Sequence, residues 1–230
     1  DVSDVQSKER KRRPAPPFIT STLQQEAARK LGFSTSRTMR IAQKLYEGVA
    51  LGDEGTVGLI SYMRTDSTHL SEEAVTELRQ LIARDFGQHA LPASANEYKT
   101  KAKNAQEAHE AIRPTSALRT PKSIASFLDP DGLRLYELIW KRAVACQMIH
   151  ATLNTVTVDL AAGKAHAFRA AGTTVVDPGF LAVYEEGRDE KTQATPEGDN
   201  PDDEGRKLPA LRVGERVPLS AILAEQHFTQ

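Results

Sequence analysis

Apolar residues recur at helical spacing between Phe18 and Ile149, with polar residues between them. Hydroxyl or acidic residues suited to helix N-caps precede several of these stretches, and glycine or proline follows them. We therefore predict helices over residues 21–32, 37–48, 71–86, 104–112 and 129–149. Asp129-Pro130-Asp131 is interpreted as the cap of the last helix rather than as a metal-binding acidic pair.

The periodicity changes after Ala151, where apolar and polar residues alternate as they do in strands. The alternation predicts one strand at residues 153–160 and another at 165–170, joined by a turn at Gly163-Lys164. Strand and short-helix signals return over residues 211–223. A helical part followed by a strand-rich part indicates the α+β fold class.

These patterns predict three parts of the chain. Residues 1–17 are basic and proline-rich and are expected to form an extended connector. Residues 18–150 are expected to form a mainly helical domain, and residues 151–230 a β-rich part. Within that part, residues 185–207 are acidic and rich in glycine, proline and aspartate, which favours a mobile loop.

Composition places the chain among ordinary globular proteins, with 39% hydrophobic and 27% charged residues. It contains no apolar run of the roughly 18 residues that a membrane span needs, and its start does not read as a signal peptide. The single Cys146 excludes an internal disulfide or a cysteine-based zinc cluster. These features predict a cytoplasmic location.

The net charge of −1 is unevenly distributed. Residues 185–207 carry nine acidic and four basic side chains, a net charge of −5, so the rest of the chain carries +4. This mild basic surplus permits contact with nucleic acid without requiring it.

The first two predicted helices are short and meet at a turn over residues 33–36. A loop at residues 51–56 and a strand at residues 57–63 follow them. This order is typical of a helix-turn-helix with a wing, which binds DNA, but an αα-hairpin without that function has the same pattern.

Tyr62 and Arg64 lie two residues apart in the predicted strand and would therefore share a face, with Asp66 next in the series. A phenol that attacks phosphorus needs stabilisation of its developing negative charge, and a guanidinium supplies this while its N–H groups hold phosphate oxygens. This pair is a candidate for nucleophilic attack on a phosphodiester. The alternative is a packed tyrosine and a solvated arginine.

His109 and Arg113 lie one turn apart on the predicted helix over residues 104–112, where they would form a small cationic site for a phosphate. The alternative is a pair that binds the carbonyls at a helix end. The run lacks the second histidine of a metal-binding helix, so no metal site is predicted there.

The run Ser61-Tyr62-Met63-Arg64-Thr65-Asp66-Ser67-Thr68 is the most specific of several motifs between residues 17 and 184. Through these stretches, which occur in the family's order, the chain resembles bacterial DNA topoisomerase I, a type IA enzyme. Met63 stands where the topoisomerase III branch usually has proline, which favours the topoisomerase I branch. The other similar stretches are residues 17–25, 42–47, 106–114 and 138–148.

The resemblance implies that Tyr62 forms a 5′-phosphotyrosyl link with one DNA strand, that Arg64 positions the scissile phosphate and that His109 assists. It further implies DNA contacts by Arg64, Arg113, Thr65 and Ser67. The helical part would be the family's domain III, with a winged-helix-like helix-turn-helix. The β-rich part would belong to domain II, the hinged arch, and residues 1–17 to the edge of that arch.

The resemblance also implies parts that this sequence does not contain: a Toprim domain whose acids hold Mg²⁺, and the gate domain. We therefore expect a fragment of an enzyme that relaxes negatively supercoiled DNA without ATP, inactive alone, monomeric, binding no metal itself and associated with the nucleoid. Its partners would be single-stranded DNA and the remaining domains. The alternatives are a winged-helix DNA-binding module without chemistry, and an interaction scaffold whose contact is the acidic stretch at 185–207.

Overall fold

The computed structural model describes residues 1–98, 110–163, 165–187 and 207–218. The chain divides into two compact units. The first unit comprises Asp1–Arg10, Leu153–Val176 and Gln193–Gln230, and the second comprises Lys11–Thr152 and Asp177–Thr192. Mixed helix and antiparallel sheet confirm the α+β class. Among the described residues, none of the helices has the length and apolar character needed to cross a membrane.

Helices dominate the second unit, and their ends agree with the capping residues read from the sequence. Ser34, Ser71 and Asp129 each cap a helix by accepting a hydrogen bond from a backbone N–H three residues on. Gly32 ends the first helix in the left-handed conformation, with φ of 67°, which glycine adopts without strain. The helices are α1 Thr20–Leu31, α2 Thr35–Glu47, α3 Glu72–Phe86 and α4 Pro130–Cys146.

Most of a three-stranded sheet lies in the first unit. Its strands are β1 Val2–Arg12, β4 Ala151–Ala162 and β5 His166–Asp177, in the order β1-β4-β5. Asp1 and Ala161 exchange backbone hydrogen bonds of 2.8 Å, so β1 runs antiparallel to β4. The predicted strands are therefore confirmed and prove longer than the alternation alone indicated.

The predicted connector over residues 1–17 is wrong for most of its length, because β1 occupies Val2–Arg12. This strand is charged and largely exposed, so its own sequence gives a weak strand signal. Pairing with β4, about 150 positions away in sequence, holds it instead. The predicted strand or helix at residues 211–223 is also absent from the part that the structure describes, residues 211–218.

A short hairpin follows α2. Its strands are β2 Val49–Ala50 and β3 Thr56–Val57, which pair antiparallel with Val49 opposite Val57. The predicted strand over residues 57–63 is therefore wrong beyond Val57. Ile60 makes only an isolated bridge to Pro114.

The predicted helix over residues 104–112 is wrong in its described part, residues 110–112, which is extended. Ile112 forms a bridge with Phe18, and its N–H donates to the Phe18 carbonyl at 2.8 Å. Ala111 and Ile112 are fully buried. Long-range backbone bonds and burial of these side chains therefore override the local helical pattern. Residues 104–109 lie outside the described residues.

Arg142 on α4 binds two segments of the second unit that are far apart in sequence, one at Pro16 and one at Glu186. The Arg142 guanidinium, 3% exposed, donates to the Pro16 carbonyl at 2.6 Å and binds Glu186 at 2.9 Å. Tyr184 donates its hydroxyl to the buried Glu26 carboxylate at 2.5 Å. Burial raises the pKa of Tyr184, which keeps it a hydrogen-bond donor.

Candidate functional site

The segment that carries Tyr62 begins against the end of α2. Leu59 donates its N–H to the Leu45 carbonyl at 2.7 Å. A Cβ atom added to Gly58 would lie 2.7 Å from the Tyr46 carbonyl oxygen, so only glycine permits this approach. The close passage fixes the start of the segment on the helical scaffold.

Burial alternates along residues 62–67 although these residues are not in a regular strand. Tyr62, Arg64 and Asp66 are exposed, whereas the residues between them are buried. Met63, at 1% exposure, packs into the hydrophobic core and anchors the segment. The sequence prediction that Tyr62 and Arg64 point the same way thus agrees with their shared exposure, while the strand on which it was based is absent.

Ser61 fastens the residue before Tyr62 to the extended segment at 111–113. Its hydroxyl donates to the Ala111 carbonyl at 2.6 Å and accepts from the Arg113 N–H at 2.9 Å. Its own N–H donates to the Arg113 carbonyl at 2.9 Å. The backbone on one side of Tyr62 is therefore held at several points.

Tyr62 is 42% exposed, and its ring meets the ring of Tyr46 edge to face, with centroids 5.3 Å apart and planes inclined by 63°. Such a pair stabilises one orientation of the ring. Among the described residues the Tyr62 hydroxyl has no hydrogen-bond partner. Tyr62 is thus held through its ring while the residue stays exposed.

Arg64 is exposed, and within the described ranges its guanidinium forms neither an ion pair nor a hydrogen bond. Other arginines of the second unit, such as Arg37, Arg113 and Arg119, bind carboxylates. An arginine with all its donors available on a rigid segment is suited to bind an anion such as a phosphate.

Arg113, which the sequence suggested as a phosphate ligand, binds a carboxylate in this structure. Its Nη2 and Nε donate to Glu110 Oε2 at 2.6 and 3.1 Å, and Glu110 also accepts from the Ser71 N–H at 2.7 Å. Burial acts to raise the pKa of Glu110, but the bonds from Arg113 and Ser71 outweigh it and lower that pKa below its ordinary value. Glu110 thus occupies donors on two of the three guanidinium nitrogens, and a DNA contact through Arg113 stays a prediction.

The Glu110–Arg113 pair predicts a pH-dependent contribution to stability. Because the folded-state pKa of Glu110 is lowered, the contribution is present above the ordinary glutamate pKa of about 4.3 and is lost as pH falls through the folded value.

We expect Glu110→Gln to reduce the free energy of unfolding by about 1–2 kcal/mol at pH 7. Urea unfolding at pH 7, 5, 4 and 3 should show this difference shrinking in acid. The half-exposed Glu137, paired with Lys141, provides the control variant Glu137→Gln. A Glu110→Gln difference that stays constant with pH would contradict the assignment.

Thr65 and Ser67, the other suggested DNA contacts, have buried side chains, at 9% and 4% exposure. The Thr65 hydroxyl accepts from the Ser67 N–H at 3.0 Å, and the Ser67 hydroxyl accepts from the His69 N–H at 3.1 Å. Both hydroxyls therefore shape the turn that follows Arg64, and a DNA contact through them stays a prediction.

His109 lies outside the described residues, as do residues 188–206 of the acidic stretch. His109 is two positions before Ala111, whose carbonyl accepts from Ser61 beside Tyr62. Within the described ranges, no group of three or more histidine, cysteine or acidic side chains could hold a metal ion. The described residues therefore do not fit a Mg²⁺ site.

The fold resembles a solved DNA topoisomerase. The full-length topoisomerase I from Thermotoga maritima superposes with a TM-score of 0.70 at 38% identity, over 86% of this chain and 32% of that one. The sequence profile of the DNA topoisomerase family matches residues 1–230. The chain therefore belongs to the DNA topoisomerase family, in its bacterial type IA branch.

Curated relatives agree with this assignment. The DNA topoisomerase 1 of Xylella fastidiosa strain 9a5c is 68% identical over 229 residues, and that of Rickettsia bellii is 50% identical over 230 residues. Each alignment covers 100% of this chain but only 27% and 28% of the respective relative. The chain thus spans about a quarter of the length of these enzymes.

Sequence reasoning missed several residues that hold the site. Tyr46 contacts the Tyr62 ring, Thr20 bonds the backbone around Arg64, and Glu110 binds Arg113. The spacing of Glu110 and Arg113 was a usable signal, because side chains three residues apart often pair. Thr20 and Tyr46 offered no such signal, since their partners lie 16 or more positions away in sequence.

Proposed function

We propose that this chain is the nucleophile-bearing part of a type IA DNA topoisomerase that relaxes negatively supercoiled DNA. The Tyr62 oxygen attacks a backbone phosphorus of one strand, a bond from phosphorus to Tyr62 forms, and the bond to the 3′ oxygen breaks. The phenol loses its proton and the released 3′ hydroxyl gains one. The reverse reaction reseals the strand without ATP, because the phosphotyrosyl bond conserves the energy of the phosphodiester.

The observation that carries this proposal is an exposed tyrosine, Tyr62, on a fixed segment, with no hydrogen-bond partner for its hydroxyl among the described residues. Its ring packs on Tyr46, its neighbour Ser61 is bonded to residues 111 and 113, and Met63 is buried. A reacting group held in one place by a rigid scaffold is what catalysis by positioning needs. A merely structural tyrosine at such a place would ordinarily bury its hydroxyl against a hydrogen-bond partner.

Arg64 would bind the non-bridging oxygens of the scissile phosphate and stabilise the charge that develops in the transition state. In support, its guanidinium is exposed and makes no ion pair within the described ranges. His109 would assist near the leaving 3′ oxygen as a proton donor, the role that the resemblance to type IA topoisomerases implies. Mg²⁺ would be held by a Toprim domain outside this chain.

A second candidate function is a winged-helix DNA-binding module without chemistry. The helices α1 and α2, followed at once by the β2–β3 hairpin, have the order of a helix-turn-helix with a wing. Under this alternative Tyr62 and Arg64 contact phosphates but form no covalent bond. In the leading proposal the same helices serve as the scaffold of the nucleophile. The whole enzyme would act in the cytoplasm, in contact with the nucleoid.

The proposal is tested with a chimaeric enzyme in which this chain replaces the matching residues of the Xylella fastidiosa DNA topoisomerase 1. With Mg²⁺ and negatively supercoiled plasmid, the chimaera should relax DNA, whereas the 230-residue chain alone should not. Electrophoresis of the plasmid topoisomers measures both. Relaxation by the chain alone would contradict its dependence on other domains, and an inactive but folded chimaera would contradict the proposed function.

A further inference from the structure

Thr20, the first residue of α1, bonds the backbone on both sides of Arg64. Its N–H donates to the Thr65 carbonyl at 2.9 Å, and its hydroxyl accepts from the Thr65 N–H at 2.9 Å. The same hydroxyl donates its proton to the Met63 carbonyl at 2.9 Å and to the Thr65 carbonyl at 3.0 Å, shared between the two. Both peptide groups that flank Arg64 are thus fastened to one residue.

The Thr20 hydroxyl is not needed by its own helix. At the start of α1 the cap bond is made by Thr22, whose hydroxyl accepts from the Ile19 N–H at 3.1 Å. The Thr20 side chain instead reaches residues 63 and 65, more than 40 positions away in sequence. Its contacts therefore serve the segment of Tyr62 and Arg64 rather than the helix.

We propose that Thr20 is a positioning residue for Arg64, an inference that rests on the proposed function. Arg64 is exposed, so its side chain receives little support from packing, and its backbone sets where the guanidinium can reach. A misplacement of about 1 Å by a residue outside the reacting groups can cost about 10²-fold in rate. Removing the hydroxyl loosens the peptide groups on either side of Arg64 and leaves the Tyr62 and Arg64 side chains unchanged.

The test compares Thr20→Val with Thr20→Ser in the chimaeric enzyme, using a single-stranded oligonucleotide and measuring the rate of covalent adduct formation. Thr20→Val should lower the maximal rate of adduct formation by about 10- to 100-fold and change the half-saturating oligonucleotide concentration by less than about threefold. Thr20→Ser retains the hydroxyl and should come within about threefold of the parent. Thr35, the exposed first residue of α2, provides the matched control Thr35→Val, which should leave the rate unchanged.

A double-mutant comparison separates positioning of Arg64 from a general loss of structure. If Thr20 acts through Arg64, Thr20→Val should cost less than about threefold more in a chimaera that already carries Arg64→Ala. A full further loss in that background would overturn the inference. Thermal unfolding is recorded for every variant, and Thr20→Ala replaces Thr20→Val if the latter is not folded at the assay temperature.

The outcomes distinguish this inference from the proposed function. If Tyr62→Phe abolishes the adduct but folded Thr20→Val reacts at the parent rate, the role of Thr20 is wrong and the proposed function stands. If Tyr62→Phe still forms the adduct, the proposed function itself is wrong. A loss in Thr20→Val that Thr20→Ser does not restore would also overturn the role of the hydroxyl.

Discussion

Replacing Tyr62 by phenylalanine in the chimaeric enzyme is expected to reduce plasmid relaxation and covalent DNA capture by about 10⁴-fold or more, the scale on which an enzyme loses its nucleophile. Phenylalanine keeps the ring that packs on Tyr46 and removes only the hydroxyl. The free energy of unfolding should therefore change little, since the hydroxyl has no partner among the described residues. Binding of single-stranded DNA should weaken only mildly.

Tyr46→Phe is the matched control, because Tyr46 is as exposed as Tyr62, at 41%, and belongs to the same aromatic pair. This variant should retain relaxation within about threefold, since edge-to-face contact of the rings does not need the hydroxyl. Retention of relaxation by Tyr62→Phe would favour the winged-helix module without chemistry. Equal loss in both variants would show that the Tyr46 hydroxyl matters as much as the Tyr62 hydroxyl, which would contradict a unique role for the Tyr62 oxygen.

Replacing Arg64 by alanine is expected to lower the rate of adduct formation by about 10²–10³-fold, or about 3–4 kcal/mol of transition-state stabilisation. The exposed guanidinium has no ion-pair partner in the described ranges, so its removal should leave the folded chain intact. Arg64→Lys keeps the charge but loses the planar fork of donors, and we expect it to recover only part of the rate. Single-turnover cleavage of an oligonucleotide measures this rate in the parent chimaera and in both variants.

Arg84→Ala is the control for the loss of a surface charge. Arg84 is exposed and already binds the neighbouring Asp85 at 2.6 Å, so this variant should cleave at the parent rate at a fixed salt concentration. If Arg64→Ala and Arg84→Ala lose rate equally, the effect of Arg64 is general electrostatic attraction of DNA. A large loss in binding with an unchanged cleavage step would also contradict transition-state stabilisation by Arg64.

The helices could be predicted because their signals are local. Ser71 caps α3 and Asp129 caps α4 as the sequence indicated, and Gly32 ends α1. In each case the capping residue and the backbone group that it bonds are within a few residues of each other. The hairpin of β4 and β5 was predictable for the same reason, since its partners are joined by a short turn.

Elements held by distant partners were predicted wrongly. The strand β1 pairs with β4, which lies far away in sequence, and its charged residues resemble a linker. The extended residues 110–112 bond Phe18 and His69, although the local pattern favours a helix. Neither set of partners can be inferred from periodicity, because periodicity reports the faces of an element and not what it pairs with.

The candidate site shows the same division. The alternation of apolar and polar residues correctly predicted that Tyr62 and Arg64 are both exposed. The alternating burial, however, comes from long-range anchoring of the segment and not from a strand. The anchors themselves, Thr20 and the carbonyl of Ala111, act across 45 and 50 positions. The chemistry of the site could thus be suggested from the sequence, while the contacts that hold it required the three-dimensional structure.

Mapping of the covalent adduct tests the central claim most directly. The chimaera is incubated with Mg²⁺ and a single-stranded oligonucleotide, denatured, treated with nuclease and trypsin, and analysed by mass spectrometry. Trypsin cleaves after Lys44 and Arg64, so one peptide contains both Tyr46 and Tyr62, and its fragment ions must separate them. We expect a 5′-phosphonucleotide on Tyr62 alone. An adduct on Tyr46 or elsewhere, or none from a chimaera that relaxes plasmid, would contradict the account.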